Sequence, residues 1–157
     1  MTISALQLAA ELIRRSDAQN RPQFTTNLAI QKLAYFCHGW HLALSGEALV
    51  SEQFEAWRFG PVLPGLYHTL KVFSSNPIPV SHPLVVSQPS LPAGSWSSQL
   101  IDHVLSVHSG LTTAQLVAIS HDSDGPWQKV WSQGPSSWIT NESIATYFRK
   151  LANKPAH

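Results

Sequence analysis

The chain holds one cysteine, Cys37, among its 157 residues, so no disulfide can form within it. Cys37 falls inside an apolar helical pattern, where a free cysteine behaves as a small hydrophobe. Charge is scarce as well. Asp, Glu, Lys and Arg make up 12% of the residues, about half the usual ~25%. A surface this poor in charge is built from Ser, Gln, Asn, Thr, His and Pro, and it leaves apolar groups less guarded. Ten basic residues face nine acidic ones, for a formal net charge of +1. No basic run exceeds Arg14-Arg15 or Arg149-Lys150, and each falls near the C-terminal end of a helical pattern, where the helix dipole favours cations. Affinity for DNA comes from cations that neutralise phosphates, so nucleic acid is not an expected partner. No stretch approaches the ~18 apolar residues of a membrane span, and no secretion leader is visible. The expected location is the cytoplasm, with no membrane partner. The phosphate loop G-x-x-x-x-G-K-[ST] and the dinucleotide fingerprint G-x-G-x-x-G are both missing.

What is present begins with size and aromatics. The length suits one domain, since domains cluster around roughly 100–150 residues, and we expect 1–157 to form a single one. Six Trp residues favour surfaces where an apolar body meets a polar edge. Composition therefore leans towards a partner-binding protein.

Periodicity predicts a mainly α fold around one buried helix, with a small β element and a Pro-rich crossing segment. Ser4 caps a helix over 5–15. Thr26 or Asn27 opens the longest helix, which runs to about Ser45 with Gly46 as its stop. Apolar side chains surround most of that helix, among them Leu28, Ile30, Leu33, Tyr35, Phe36, Trp40, Leu42 and Leu44, so other elements should wrap it. Its polar residues Gln31, His38, His41 and Ser45 fall on one narrow stripe, expected to be a seam left open by the wrapping. Residues 52–57 read as a strand, Gly60-Pro61 and Pro64-Gly65 as turns, and 64–73 as a helix. Prolines 77, 79, 83, 89 and 92 forbid a regular helix across 74–98, where the expectation is an extended crossing with a short strand near Leu84–Ser87. Further helices are expected over 96–108, from the Thr112–Gln115 capping box to Ser120 or His121, from Trp127 to about Ser132, and from an Asn141 cap through 142–152.

No catalytic constellation stands out. His38 and His41, at i and i+3, would need His68 or His121 to complete a zinc site; two polar residues in a hydrogen-bonded seam is the simpler account. Ser120-His121-Asp122 has the residue types of a hydrolase triad without G-x-S-x-G, and adjacency is not triad geometry. His121-Asp122-Ser123-Asp124 before Gly125-Pro126 reads as a turn that satisfies free N–H groups. No catalytic residue, metal or cofactor is expected. The segment FEAWRFGPVLPGLY, Phe54 to Tyr67, is different. It gathers Trp57, Arg58, Phe59 and Tyr67 around two Gly/Pro turns, the residue types that dominate binding hot spots.

The stretch LAIQKLAYFCHGWHLAL (Leu28 to Leu44), then Gly46-Glu47-Ala48-Leu49 and FEAWRFGPVLPGLYHTLK, resembles the signature of the Panacea domain family, also called SocA-like or GepA-like. The resemblance resumes at LVAISHDSDGPW (Leu116 to Trp127) and is weakest in the Pro-rich middle and at the two ends. It implies an antitoxin that binds and silences a cognate toxin encoded by an adjacent gene, in bacteria or their phages. Family precedent also includes a proteolytic adaptor that delivers a toxin to a ClpXP-type protease. Some relatives carry an added DNA-binding domain, which is not expected here. A phage factor that binds a host protein, and a metal enzyme using His38, His41 and His121, are the rival readings. The expected toxin-facing residues are Trp57, Arg58, Phe59 and Tyr67, with Asp122, Asp124 and Trp127 from the loop beside them.

Overall fold

Thr26 starts the central helix by accepting the Ala29 N–H on its hydroxyl, and Gly46 ends it in a left-handed conformation at φ 77°. Between them α2, Asn27–Ser45, forms the axis of a computed structural model that describes residues 2–134 and 137–154. Ala29, Ile30, Leu33, Ala34, Tyr35, Phe36 and Cys37 are all buried along it. Each large apolar side chain there stabilises by roughly 1.5–3 kcal/mol relative to exposure.

The wrapping elements are α1 (Ala5–Ala18), α5 (Trp96–Val107), α6 (Thr113–Ser120) and α8 (Asn141–Ala152). The shorter α3 (Pro64–Leu70), α4 (Pro83–Val86) and α7 (Pro126–Trp131) fill in between them. A three-stranded antiparallel sheet, ordered β2-β1-β3, joins β1 (Phe54–Trp57), β2 (Gly60–Val62) and β3 (Ser137–Ile139). The fold is therefore mainly α with a small sheet, and among the described residues the buried apolar side chains other than Val62 form one continuous cluster. Tyr35 lies at the centre, its ring 5.5–5.7 Å from those of Phe36, Phe54 and Phe148. The close approach of α8 to α2 depends on Gly39, where a Cβ would overlap the Phe148 ring.

Several sequence expectations are corrected. The strand near Leu84–Ser87 is one turn of helix, α4. Pro83 occupies its first turn, where a missing N–H costs nothing, and the His82 ring accepts the Leu84 N–H. The helix over 142–152 is capped by Thr140, which frees the Asn141 side chain for another partner. Gly60 and Pro61 belong to edge strand β2, not to a turn alone, and Pro there has no ladder N–H to lose on the open side. Strand β3 carries no alternating pattern that would mark it in the sequence. Leu28 and Leu44, read as buried, are 37% and 57% exposed, because the ends of α2 outrun the elements packed on its middle.

The Arg14-Arg15 pair does more than complement a dipole. Glu11, 4% exposed, receives Arg14 and Arg15 at 3.1 and 2.9 Å and also accepts the Leu91 N–H. Arg14 donates to the Val85 and Gln88 carbonyls, and Arg15 to Ser98 and Asp102. This network ties the Pro-rich crossing to α1. Burial works against the Glu11 carboxylate, but the Leu91 N–H and the two guanidiniums outweigh it and hold the group below its usual range.

Candidate functional site

The aromatic segment is a tight hairpin. Trp57 pairs with Gly60, which leaves Arg58 and Phe59 as the two residues at the tip. Gly60 sits at φ +112°, a conformation side-chain-bearing residues rarely adopt, and a Cβ on it would meet the Ser120 hydroxyl at 2.5 Å. Arg58 and Phe59 are exposed, Phe59 at 55%, and the Arg58 guanidinium stacks over the Phe59 ring at 5.3 Å. Behind them Trp57 meets Tyr67 edge-on at 5.0 Å, and its indole N–H donates to Glu55 Oε1. The structure thus brings Trp57, Arg58, Phe59 and Tyr67 onto one face.

A row of polar residues on α2 holds this face from beneath. The Asn27 amide donates to the Tyr67 carbonyl, Gln31 Oε1 accepts the Leu63 N–H, and Lys32 Nζ donates to the Pro61 carbonyl at 2.7 Å. Lys32 is fully buried, and that burial pushes its amine down to about 7. Trp127 closes the other strand: its indole N–H donates to the Trp57 carbonyl at 2.7 Å. Trp127 is 4% exposed and its ring stacks on His121 at 3.8 Å. It is a support for the hairpin, set back from the surface. Burial foremost, then the Lys32 charge, lowers the His121 pKa.

Asp122 and Asp124 make their contacts with residues other than Trp57, Arg58, Phe59 and Tyr67. Asp122 accepts the Tyr147 hydroxyl at 2.6 Å, the main reason its carboxyl is held low, and it also accepts the Asp124 N–H. Asp124 is exposed and opens on a different hollow, with Lys129, Tyr147 and Lys150. The Ser120 hydroxyl donates to the Val117 carbonyl of its own helix, so Ser120, His121 and Asp122 turn to three separate partners.

The polar stripe of α2 is closed, contrary to expectation, except at Ser45. Gln31, His38 and His41 are buried, and Ser45 alone is exposed. His38 Nε2 donates to Asn141 Oδ1 at 2.9 Å while its Nδ1 accepts the Val50 N–H, and burial keeps the ring neutral by lowering its pKa. His41 bridges the Glu47 carbonyl and the Ser97 hydroxyl. These bonds tie helix to loop and leave no ring nitrogen of either histidine free. Among the described residues no three His, Cys, Asp or Glu side chains gather as metal ligands, and no helix is long and apolar enough to cross a membrane.

Beside the hairpin tip is a hollow of about 470 Å³, walled by Leu28, Phe59 and Tyr67 and edged by Lys71 and Thr113. Sequence reasoning missed Leu28 and Lys71 here. The one available signal was position, since Leu28 stands in the first turn of α2 and neighbours cover a helix least at its ends.

The fold and site define a mainly α scaffold that presents a braced aromatic–Arg hairpin over an apolar hollow. Comparison with known proteins places it more narrowly. Residues 30–89 match the family described as "Antitoxin SocA-like, Panacea domain". The chain is also 34% identical over 148 residues to Antitoxin SocA of Caulobacter vibrioides, covering 87% of this chain and 74% of that protein. The chain belongs to this SocA-like, Panacea-domain antitoxin family. The matched family region contains α2 from Ile30 onward, and the hairpin and α3 whole. No solved structure matches the chain.

Proposed function

We propose that the protein neutralises a cognate toxin, encoded by an adjacent gene in a bacterium or phage, by direct stoichiometric binding in the cytoplasm through the face built from Trp57, Arg58, Phe59 and Tyr67. The observation that carries this reading is the hairpin tip. A large aromatic ring and a guanidinium stand exposed on a turn braced by buried hydrogen bonds from Lys32 and Trp127. Exposed apolar and cationic groups on a rigid base lose little freedom when a partner covers them, which favours affinity. Aromatic and Arg side chains in such positions carry most of the energy of typical interfaces. Family membership supports the toxin as the partner. Asp122, bound to Tyr147, and Asp124, on a separate hollow, are left out of this contact set, and Trp127 acts through the Trp57 backbone.

The test is co-expression. The adjacent gene is induced alone and with this chain, scoring growth and co-purification. Rescue with a stable complex is the expected result. Arg58→Ala, Phe59→Ala and Tyr67→Ala then each fold normally, and at least one weakens the complex by about 2 kcal/mol or more. Full affinity in all three variants would move the contact surface elsewhere. Rescue that requires the host's ClpXP-type protease would identify delivery for degradation as the route.

A further inference from the structure

We infer that the hollow beside the hairpin receives an acidic segment of the partner, with one aromatic or large aliphatic side chain seated against Leu28, Phe59 and Tyr67. The inference rests on the reading of this face as the toxin-contact surface and adds the chemistry of what enters it. At about 470 Å³ the hollow falls within the range of roughly 300–1,000 Å³ typical of ligand pockets, which is room for one bulky side chain and the backbone flanking it. Its walls are exposed apolar groups, Leu28 at 37% and Phe59 at 55%.

The rim decides the sign of the partner's charge. Lys71 edges the hollow and Arg58 stands over Phe59. Among the described residues neither cation is in an ion pair, since the salt bridges there involve only Arg14 and Arg15. No carboxylate lines the hollow. Glu55, the acidic residue nearest along the chain, accepts the Trp57 indole N–H and pairs with neither cation. In a protein with so few charges, one unpaired cation on the hollow's edge and another stacked on the Phe59 ring that walls it are a local excess. Complementary charge in a partner raises its association rate and rejects partners of the wrong sign.

The experiment uses the full ¹⁵N-labelled chain and two acetylated, amidated pentapeptides, Asp-Glu-Trp-Glu-Asp and Lys-Arg-Trp-Arg-Lys, titrated at low salt to millimolar concentration. The acidic peptide is expected to shift the Leu28, Tyr67 and Lys71 amides and to bind at least about tenfold more tightly than the basic one, as two rim pairs of modest strength would give. The double variant Arg58→Glu, Lys71→Glu, both at exposed positions, reverses that preference. Equal response to the two peptides, no response to either, or shifts confined to other residues overturns the inference. The toxin reading is scored apart from this. Neutralisation unchanged by the double charge reversal defeats the acidic-segment assignment and leaves the antitoxin role intact. Failure of the wild-type chain to neutralise its neighbour defeats the role, whatever the peptides do.

Discussion

Lys32 offers the most quantitative test of the reasoning. Its side chain is fully buried, its Nζ donates to the Pro61 carbonyl, and among the described residues no carboxylate pairs with it. Burial pushes the amine down to about 7, whereas in the unfolded chain it titrates near ~10.4. Between these values the unfolded chain holds a proton that the folded chain lacks. Stability therefore rises with pH through this window, with a limiting slope of about 1.4 kcal/mol per unit. Integrated from about pH 7 to about pH 8.5, the gain is roughly 1.6 kcal/mol, or some 3–7 °C in Tm at this chain length. The buried histidines, with pKa values lowered by burial, change charge below the window. Cys37, pushed up to about 12 by burial, offsets part of the gain within the window as the unfolded thiol ionises near ~8.5, by about 0.4 kcal/mol up to about pH 8.5.

Lys32→Met removes the amine and should flatten this dependence. At about pH 7 the variant escapes a protonation penalty of roughly 4–5 kcal/mol. It loses about 1–3 kcal/mol by leaving the Pro61 carbonyl unpaired, so a net stabilisation of about 2 kcal/mol is expected. That advantage should fall close to zero by about pH 8.5. Urea unfolding of both proteins at three pH values across the window measures it. Parallel curves with no pH dependence in either protein would mean that the buried amine keeps its ordinary pKa, and the argument would fail.

Two further substitutions probe the packing around α2. Gly39→Ala places a Cβ against the Phe148 ring, which is buried and fixed by Tyr35 and Trp40; a loss of about 1–3 kcal/mol in chemical denaturation is expected from overpacking, partly relieved by adding Phe148→Leu. Glu11→Ala leaves Arg14 and Arg15 without their buried carboxylate and the Leu91 N–H unpaired; it should cost about 3 kcal/mol and speed proteolysis between residues 85 and 98. Because the Glu11 pKa is lowered in the folded protein, the same contribution is present at neutral pH and is lost as acid titrates the carboxylate, so the wild-type and Glu11→Ala stabilities should converge on acidification.

The features legible in the sequence were those set by near neighbours. Thr26 and Gly46 bound α2 because capping and a left-handed stop are decided within a few residues, and the Thr112–Gln115 capping box forms as written. The aromatic–Arg segment was legible because its residue types sit together in the chain. The misreadings depended on distant partners. Whether the His38 seam faced water turned on Asn141 and Val50 closing over it, and a helical wheel contains neither. Lys32 gave no sign of burial, since a lone lysine among apolar neighbours more often reaches solvent by its long stem. The one-turn α4 was hidden by prolines that exclude long helices but suit a helix start. Within the candidate site, Trp127 is expected from sequence at the surface, but it is buried and donates to the Trp57 carbonyl, a contact set by the packing of α7 on β1 that local sequence does not display.

The same hydrogen bond that makes Lys32 costly ties it to the strand beneath the proposed contact surface. The hairpin is gripped through two backbone carbonyls, Trp57 by Trp127 and Pro61 by Lys32, one on each strand next to the exposed tip. A tip anchored on both strands presents Arg58 and Phe59 in one arrangement, so a partner need not order it. Removing the amine frees the Pro61 strand while relieving the fold of a buried charge. Stability and affinity should therefore move in opposite directions in Lys32→Met, the compromise expected where a functional surface is held by an unfavourable group. The variant should gain stability near neutral pH, show faster amide hydrogen exchange at Arg58 and Phe59, and bind the toxin more weakly. If affinity instead rises or holds alongside the gain in stability, Lys32 is merely a tolerated buried amine, and the bracing of the tip comes from Trp127 and Gly60 alone.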